Sequence, residues 1–252
     1  MYNYLVKPDS VETLLRLNRQ FYQTFALQFS ATRGRLQPGV RRVLESLPGD
    51  ANILDLGCGN GELAHELDRR GHRGAYIGLD ISPELLKEAQ RARLESLRAT
   101  FVQADLAGPT WVKDIRWLQA STVKFEPDYI LAFAVLHHLP GEALRLQTLQ
   151  NVRDCLGPGN SFIHSEWQFL NSPRWRGRIL PWERIGLSEE DVEAGDTLLD
   201  WRSGGYGLRY VHHFSEDELA RLALASGFKV VETFYSDGEG GRLGLYQVWK
   251  AK

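Results

Sequence analysis

Residues 54–61 read Leu54-Asp55-Leu56-Gly57-Cys58-Gly59-Asn60-Gly61. Ahead of them Asn52 to Leu56 (NILDL) is a short apolar strand, and behind them Glu62 to Arg70 is a helix that stops at Gly71. A glycine cluster between a strand and a helix is the setting of a nucleotide loop. Glycine permits close backbone approach and the φ angles that other residues avoid. The spacing is G-x-G-x-G, whereas dinucleotide binders use G-x-G-x-x-G. Asp55 stands two residues before the first glycine. A loop made only to receive pyrophosphate gains nothing from a carboxylate there. A ligand carrying a cation, such as an ammonium or a sulfonium, does.

Outward from this loop, strands and helices alternate. Ala75 to Leu79 is a second strand, and Ser82-Pro83-Glu84 opens a helix running to about Arg98. Thr100 to Gln103 and Asp128 to Ala134 are strands three and four. Gly141 to Cys155 is a helix, and Ser161 to Glu166 is strand five after the turn Gly157-Pro158-Gly159. Ser215 to Ser226 is a helix with a capping box, Ser215 to Glu218. Lys229 to Phe234 and Leu243 to Trp249 form an antiparallel pair around DGEGG. This order predicts a mostly parallel seven-stranded sheet with helices on both faces, an α/β Rossmann-like fold ending in an antiparallel pair. Two helices precede it: residues 9–29, with Leu14, Leu15, Leu17, Phe21, Phe25 and Phe29 at near-helical spacing, and residues 38–47, with Pro38 in the first turn. Residues 167–213 read as irregular, rich in Trp, Arg and Gly. Such a long loop is usually functional.

The expected organisation is one domain over residues 1–252. Residues 1–48 form a helical cover, 49–166 a core, 167–213 a substrate-side insert, and 214–252 the last helix and strand pair. The cover and the insert both suit a ligand held at the carboxyl ends of the strands.

Composition narrows the class. The 252 residues are 43% hydrophobic and 25% charged, as in an ordinary globular protein. The longest nearly apolar run, Tyr129 to Leu136, is far below the roughly 20 residues of a membrane helix. No signal peptide is visible, and two cysteines make neither a disulfide framework nor a metal site. The expectation is a soluble, cytoplasmic protein without metal or membrane partner. Net charge is −2, which argues against a surface coated for non-specific nucleic-acid binding but leaves room for a local basic patch. Ser172 to Arg184 (SPRWRGRILPWER) offers one: Arg174, Arg176, Arg178 and Arg184 alternate with Trp175 and Trp182, a mixture suited to RNA backbone and exposed bases or to a solvated loop pinned by tryptophans.

At these motifs the sequence resembles the class I S-adenosylmethionine-dependent methyltransferases. The resemblance covers roughly residues 50 to 166 and the final strands. It implies a cofactor site of Asp55, Gly57, Cys58, Gly59, Gly61, Ile81 and Leu106, with Asp80 at the ribose hydroxyls, Asp105 at the adenine amino group, and Ala134 at the methionine end. Cys58 reads as a small residue in the turn. Further segments look like one subfamily, the tRNA wobble-uridine carboxymethyl methyltransferases, which include a domain fused to an AlkB-type oxygenase in animals. Those segments are Phe29 to Arg33, His137-His138, Gly195 to Trp201 and Arg209 to Phe214. This resemblance implies carboxyl O-methylation of 5-carboxymethyluridine, with tRNA as partner, a small activator subunit in eukaryotic relatives, and S-adenosylhomocysteine as product.

A carboxylate acceptor is already ionised at neutral pH, so no strong base is required and catalysis rests on positioning and electrostatics. Arg33 and Arg209 are the candidates to hold the carboxylate or a neighbouring phosphate. His137 and His138 end strand four; one is expected to face the cleft and the other to pack. Trp201, Tyr210, His212, Arg174 and Arg176 are candidate substrate contacts. His212 and His213 equally suit a strand-end or capping role. The alternative is a small-molecule O- or N-methyltransferase, with His137 or His138 as general base.

Overall fold

The computed structural model describes residues 6–31, 35–91, 94–109, 111–113, 115 and 125–252. Strands β1 (Ile53–Leu56), β2 (Ala75–Asp80), β3 (Arg98–Gln103), β4 (Tyr129–Phe133), β5 (Ser161–Trp167), β9 (Phe228–Ser236) and β10 (Gly244–Ala251) form one sheet in the order β3-β2-β1-β4-β5-β10-β9. β1 to β5 run parallel, and β10 lies antiparallel between β5 and β9. The central strands β1 and β4 are largely apolar and buried because both faces of the sheet are covered there. On one face Leu54, Leu56, Ile130, Ala132, Phe162 and Trp249 meet α5 (Glu142–Cys155) and α6 (Glu216–Ala225). On the other, Ile53, Leu131, Ile163 and Tyr246 meet α2 (Pro38–Ser46) and α3 (Glu62–Arg69). The strand order reverses between β1 and β4, and a crevice opens there at their carboxyl ends. The glycine loop follows β1, and residues 134–138 follow β4.

Two expectations need correction. The helix after Pro83, α4, ends at Arg91, and β3 begins at Arg98. Residues 95–97 turn because the Asp68 carboxylate accepts the backbone N–H groups of Glu95, Ser96 and Leu97 at 2.7–3.1 Å. Residues 167–213 are also not irregular. They carry a second, antiparallel sheet of β6 (Ile179–Leu180), β7 (Asp196–Trp201) and β8 (Gly207–His212). The stretch TLLDW is buried throughout, so it shows no alternation of polar and apolar residues. Ser203 to Tyr206 form the β7–β8 turn, with Gly204 and Gly205 at positive φ under Gln28 and Phe25 of the first helix.

That helix, α1 (Pro8–Ala31), bends at Phe25 and has two working faces. Leu14, Phe21 and Phe25 pack on the insert sheet, against Leu198, Tyr210 and Trp201. Leu15, Asn18, Arg19 and Tyr22, spaced i, i+3, i+4 and i+7, face the crevice. Asn18 ties the cover to the sheet. Its amide nitrogen donates to the carbonyls of Tyr210 and His138, while its oxygen accepts the Tyr210 N–H at 2.9 Å, which caps an open backbone position on β8. No helix among the described residues is long and apolar enough to cross a membrane.

Candidate functional site

The glycine loop is tied to β2 by two backbone bonds, from Gly57 and Cys58 N–H to the Leu79 carbonyl at 2.7 and 2.9 Å. Gly57, Gly59 and Gly61 all have positive φ. Their reasons differ. A Cβ on Gly57 would sit 2.6 Å from Val135 Cγ2, and one on Gly61 would sit 2.8 Å from Ala89 Cβ. A Cβ on Gly59 would meet nothing within 4 Å, because this glycine opens onto the crevice. Asp55, Gly57, Cys58, Gly59, Asp80, Ile81, Asp105, Leu106 and Ala134 all line the crevice. Gly61 is behind it instead, at the start of α3, where its missing side chain lets α4 approach. Burial pushes the Cys58 thiol well up, so it is a packing group, in keeping with the sequence reading.

The three acids have different surroundings. Asp80 accepts the Gly59 N–H at 2.8 Å and the Ser82 N–H at 2.9 Å. Burial raises its carboxyl from the usual range, and these backbone bonds oppose the rise. Asp55 is buried and accepts the Tyr76 hydroxyl at 2.5 Å. Burial pushes it up to about 7, with Tyr76 working against the shift. Asp105 accepts the Ala107 N–H at 3.0 Å and forms an ion pair with Arg19 at 2.6 Å. Arg19 was not legible as a site residue, nor was Ser30, whose hydroxyl accepts the Asn60 amide at 2.8 Å beside the loop. Both follow from α1 lying across the crevice.

Ala134 adopts φ +60, unusual for a residue with a side chain. Its N–H is held by the Ser165 carbonyl at 2.9 Å, so the chain turns sharply into the 136–138 turn. The paired histidines divide as expected. His138 lines the crevice, with Nε2 2.7 Å from the Tyr22 hydroxyl. His137 is buried, with Nδ1 3.2 Å from Glu166.

Arg209 is 3% exposed. Its guanidinium lies among four rings, with centroids at 4.7 Å (Trp167), 5.6 Å (Trp201), 5.7 Å (Phe21) and 5.9 Å (Trp175). Phe21 in turn touches Tyr22, so this cage adjoins the crevice wall at His138. On its outer side Arg174 and Arg178 lie 5.2 and 5.1 Å from the Trp175 ring. Arg174 and Arg176 are exposed, and Arg176 donates to the Leu170 carbonyl. Arg33 lies outside the described residues.

Three expected substrate contacts sit elsewhere. Trp201 is buried against Phe21 and Phe25, and its indole N–H donates to the Ser203 carbonyl at 2.6 Å. Tyr210 is fully buried, and its hydroxyl donates to Asp196 at 2.7 Å. Buried His212 contacts Asp196 at 2.6 Å through Nδ1 and Glu218 at 3.0 Å through Nε2. Tyr210 and His212 are parts of the insert's core because β8 alternates and their face turns inward, and Trp201, at the end of β7, is covered by Phe21 and Phe25 of α1. Among the described residues Glu193, Asp196 and His212 are close enough to share a cation. The fit is poor. Arg145 already supplies a charge to Glu193 and, at 3.6 Å, to Glu218. Both His212 nitrogens are also engaged by carboxylates.

A family model described as a methyltransferase domain matches residues 29–233. The chain is 27% identical over 231 residues to the tRNA (carboxymethyluridine(34)-5-O)-methyltransferase of Schizosaccharomyces pombe, covering 86% of this chain and 90% of that one. It is 38% identical over 126 residues to the trans-aconitate 2-methyltransferase of Acidovorax ebreus, covering 50% and 42% respectively. Among solved structures, the methyltransferase bound to the Haloferax volcanii Trm112 methyltransferase activator superposes with a TM-score of 0.63 at 16% identity, covering 92% of this chain and 96% of that chain.

Proposed function

Because the chain belongs to the methyltransferase-domain family, and is an S-adenosylmethionine-dependent methyltransferase, we propose that it esterifies a carboxylate, that of 5-carboxymethyluridine at the tRNA wobble position. The crevice residues fit the cofactor. Gly59 leaves open space where a side chain would stand, Asp80 retains acceptor capacity for vicinal hydroxyls, and Asp55 is the acid for the ammonium end. Asp105 and Leu106 would meet the adenine, with Arg19 releasing Asp105 to do so. Bound there, the cofactor supplies an electrophilic sulfonium methyl. Methyl transfer would join that carbon to a carboxylate oxygen of the acceptor and leave the sulfur–carbon electron pair on sulfur, giving S-adenosylhomocysteine. No proton moves.

The observation that carries the acceptor reading is the caged Arg209, beside the crevice and continuous through the Trp175 ring with exposed Arg174 and half-buried Arg178. A buried guanidinium at this place suits a carboxylate, and the outer arginines suit flanking phosphates. Arg33 and His138 complete the proposed acceptor site. The S. pombe relative supports this reading through its name and near full-length coverage. The trans-aconitate relative favours a second reading, a small carboxylate metabolite. Both names contain a carboxyl-bearing acceptor, so the two readings share a reaction.

The test is transfer of labelled methyl to bulk tRNA from cells lacking the wobble ester, with and without a small activator subunit, followed by nucleoside mass spectrometry. A base-labile ester on carboxymethyluridine is expected. Label confined to small carboxylic acids would support the second reading. Arg209→Ala should lower turnover about 100-fold while cofactor affinity stays within twofold, since a misplaced acceptor forfeits alignment. Parallel loss of cofactor affinity would instead make Arg209 a structural group.

Asp55 adds a pH prediction. Its carboxyl, held at about 7 in the free protein, must be ionised to meet a cationic ligand. Cofactor affinity should therefore rise with pH up to about 7 and then level off, with a proton released on binding below 7. Calorimetry in buffers of different ionisation enthalpy reads that proton. A flat profile between pH 5.5 and 8 would separate Asp55 from the ammonium.

A further inference from the structure

We propose that Glu166 is a positioning residue of the methyl-transfer site, holding the His137–His138 turn through the His137 imidazole. Glu166 is the penultimate residue of β5, and its side chain is fully buried. Each carboxyl oxygen meets one histidine. Oε2 lies 3.2 Å from His137 Nδ1, and Oε1 lies 3.0 Å from His164 Nδ1. His137 and His138 rings are 4.3 Å apart, and His138 lines the crevice against Tyr22. A short path thus runs from the sheet interior to the crevice wall. Nothing in the acceptor reading uses Glu166, so the inference rests on the methyl-transfer activity alone.

The proton inventory follows from the donors. The Trp167 N–H also points at His137 Nδ1, at 3.5 Å, which marks that nitrogen as an acceptor. Glu166 must then donate to it, as a neutral carboxyl group. Burial agrees: it pushes Glu166 well above the usual carboxyl range and brings His164 down to about 3. Neutral His164 donates from Nδ1 to Oε1. Its ring is fixed between Phe162, stacked at 5.0 Å, and Trp249, edge-on at 4.5 Å. Glu166 is therefore a donor to His137 Nδ1 and an acceptor from His164 and from the His137 backbone N–H, so it holds both the ring and the chain of His137. The 136–138 turn carries Val135 and His138 to the place where the glycine loop and Ala134 meet, so a tilt of the His137 ring displaces the crevice wall.

This inventory makes a test that separates positioning from packing. Glu166→Gln keeps a donor for His137 Nδ1 at Nε2 and an acceptor oxygen for His164. Glu166→Leu keeps a side chain of similar size and removes every hydrogen bond of the carboxyl group. With bulk tRNA as acceptor, the Leu variant should lose 10- to 100-fold in kcat at an unchanged cofactor Kd. The Gln variant should stay within threefold of the parent. Equal kcat in the Leu variant, or a folded Gln variant as impaired as Leu, would overturn the proposal. Imidazole nitrogen NMR on the cofactor-free protein gives a readout independent of any acceptor. His138 resonances should shift in the Leu variant and hold in Gln, and His137 Nδ1 should have an unprotonated shift in the parent. If tRNA accepts no methyl, the acceptor reading fails while the NMR result still decides this one: unmoved His138 resonances in Leu overturn it.

Discussion

Replacing Arg145 with alanine is expected to lower stability by about 3–5 kcal/mol, the cost of removing one partner from a buried ion cluster. Arg145 projects from α5 and is 1% exposed. Its guanidinium pairs with Glu193 of the insert, lies 3.6 Å from Glu218 of α6, and donates to the Leu139 carbonyl at 3.1 Å. Asp196, Tyr210 and His212 complete the cluster. Without Arg145, three carboxylates would share His212 as their one cation among the described residues. The melting temperature should fall by roughly 10 °C; a fall under 2 °C would show that the cluster relaxes into water at little cost. The variant should also have a steeper pH dependence, because Arg145 opposes the rise of the His212 imidazole. Burial opposes charge on His212, but its bonds to Asp196 and Glu218 outweigh that and raise the imidazole above 6.5. A raised basic group contributes fully below its unfolded value of 6.5 and is lost as pH rises through the folded one. Melting temperatures of the Arg145→Ala protein should therefore decline above pH 6.5 more steeply than those of the parent.

Asp80→Ala is expected to weaken cofactor binding at least 100-fold, roughly 3 kcal/mol. Two losses combine. The cofactor hydroxyls lose a charged acceptor, and the N–H groups of Gly59 and Ser82 lose the partner that holds the loop. Asp80→Asn should be intermediate, because an amide oxygen still accepts one N–H while its NH2 group repels the other. Calorimetric titration with S-adenosylhomocysteine distinguishes them. An alanine variant within threefold of the parent would remove Asp80 from the cofactor site and show that the Leu79 carbonyl and the Asn60–Ser30 bond suffice to hold the loop.

The contrast between the two sides of the crevice explains what was readable. Asp55, the glycines and Asp80 sit within one β-loop-α-β unit, where local spacing dictates spatial proximity, and so they could be found in the sequence. Arg19, Tyr22 and Asn18 reach the same crevice from α1, far away in the chain. On a helical wheel they form an ordinary polar face. The one available signal was Tyr22 with Leu15 at i and i+7 on that face, an apolar seam beside the main stripe of Leu14, Phe21 and Phe25. The insert misled for a different reason. A strand buried on both sides has no period of two, and the polar residues of β7 and β8 look like site residues when they are partners of one another.

The amino-acid sequence alone determined the doubly covered parallel sheet, the glycine loop and the acids around it, because each depends on contacts between near neighbours and on backbone angles only glycine accepts readily. Tertiary structure alone decided which polar residues face the crevice. His137 and His138 are adjacent in sequence, yet one turns to Glu166 and the other to Tyr22. Arg209 and Tyr210 are adjacent too, and the strand's alternation sends one into an aromatic cage beside the crevice and the other into the ion cluster of Arg145. Such a division is set by what each side chain meets across the fold, which local sequence does not encode.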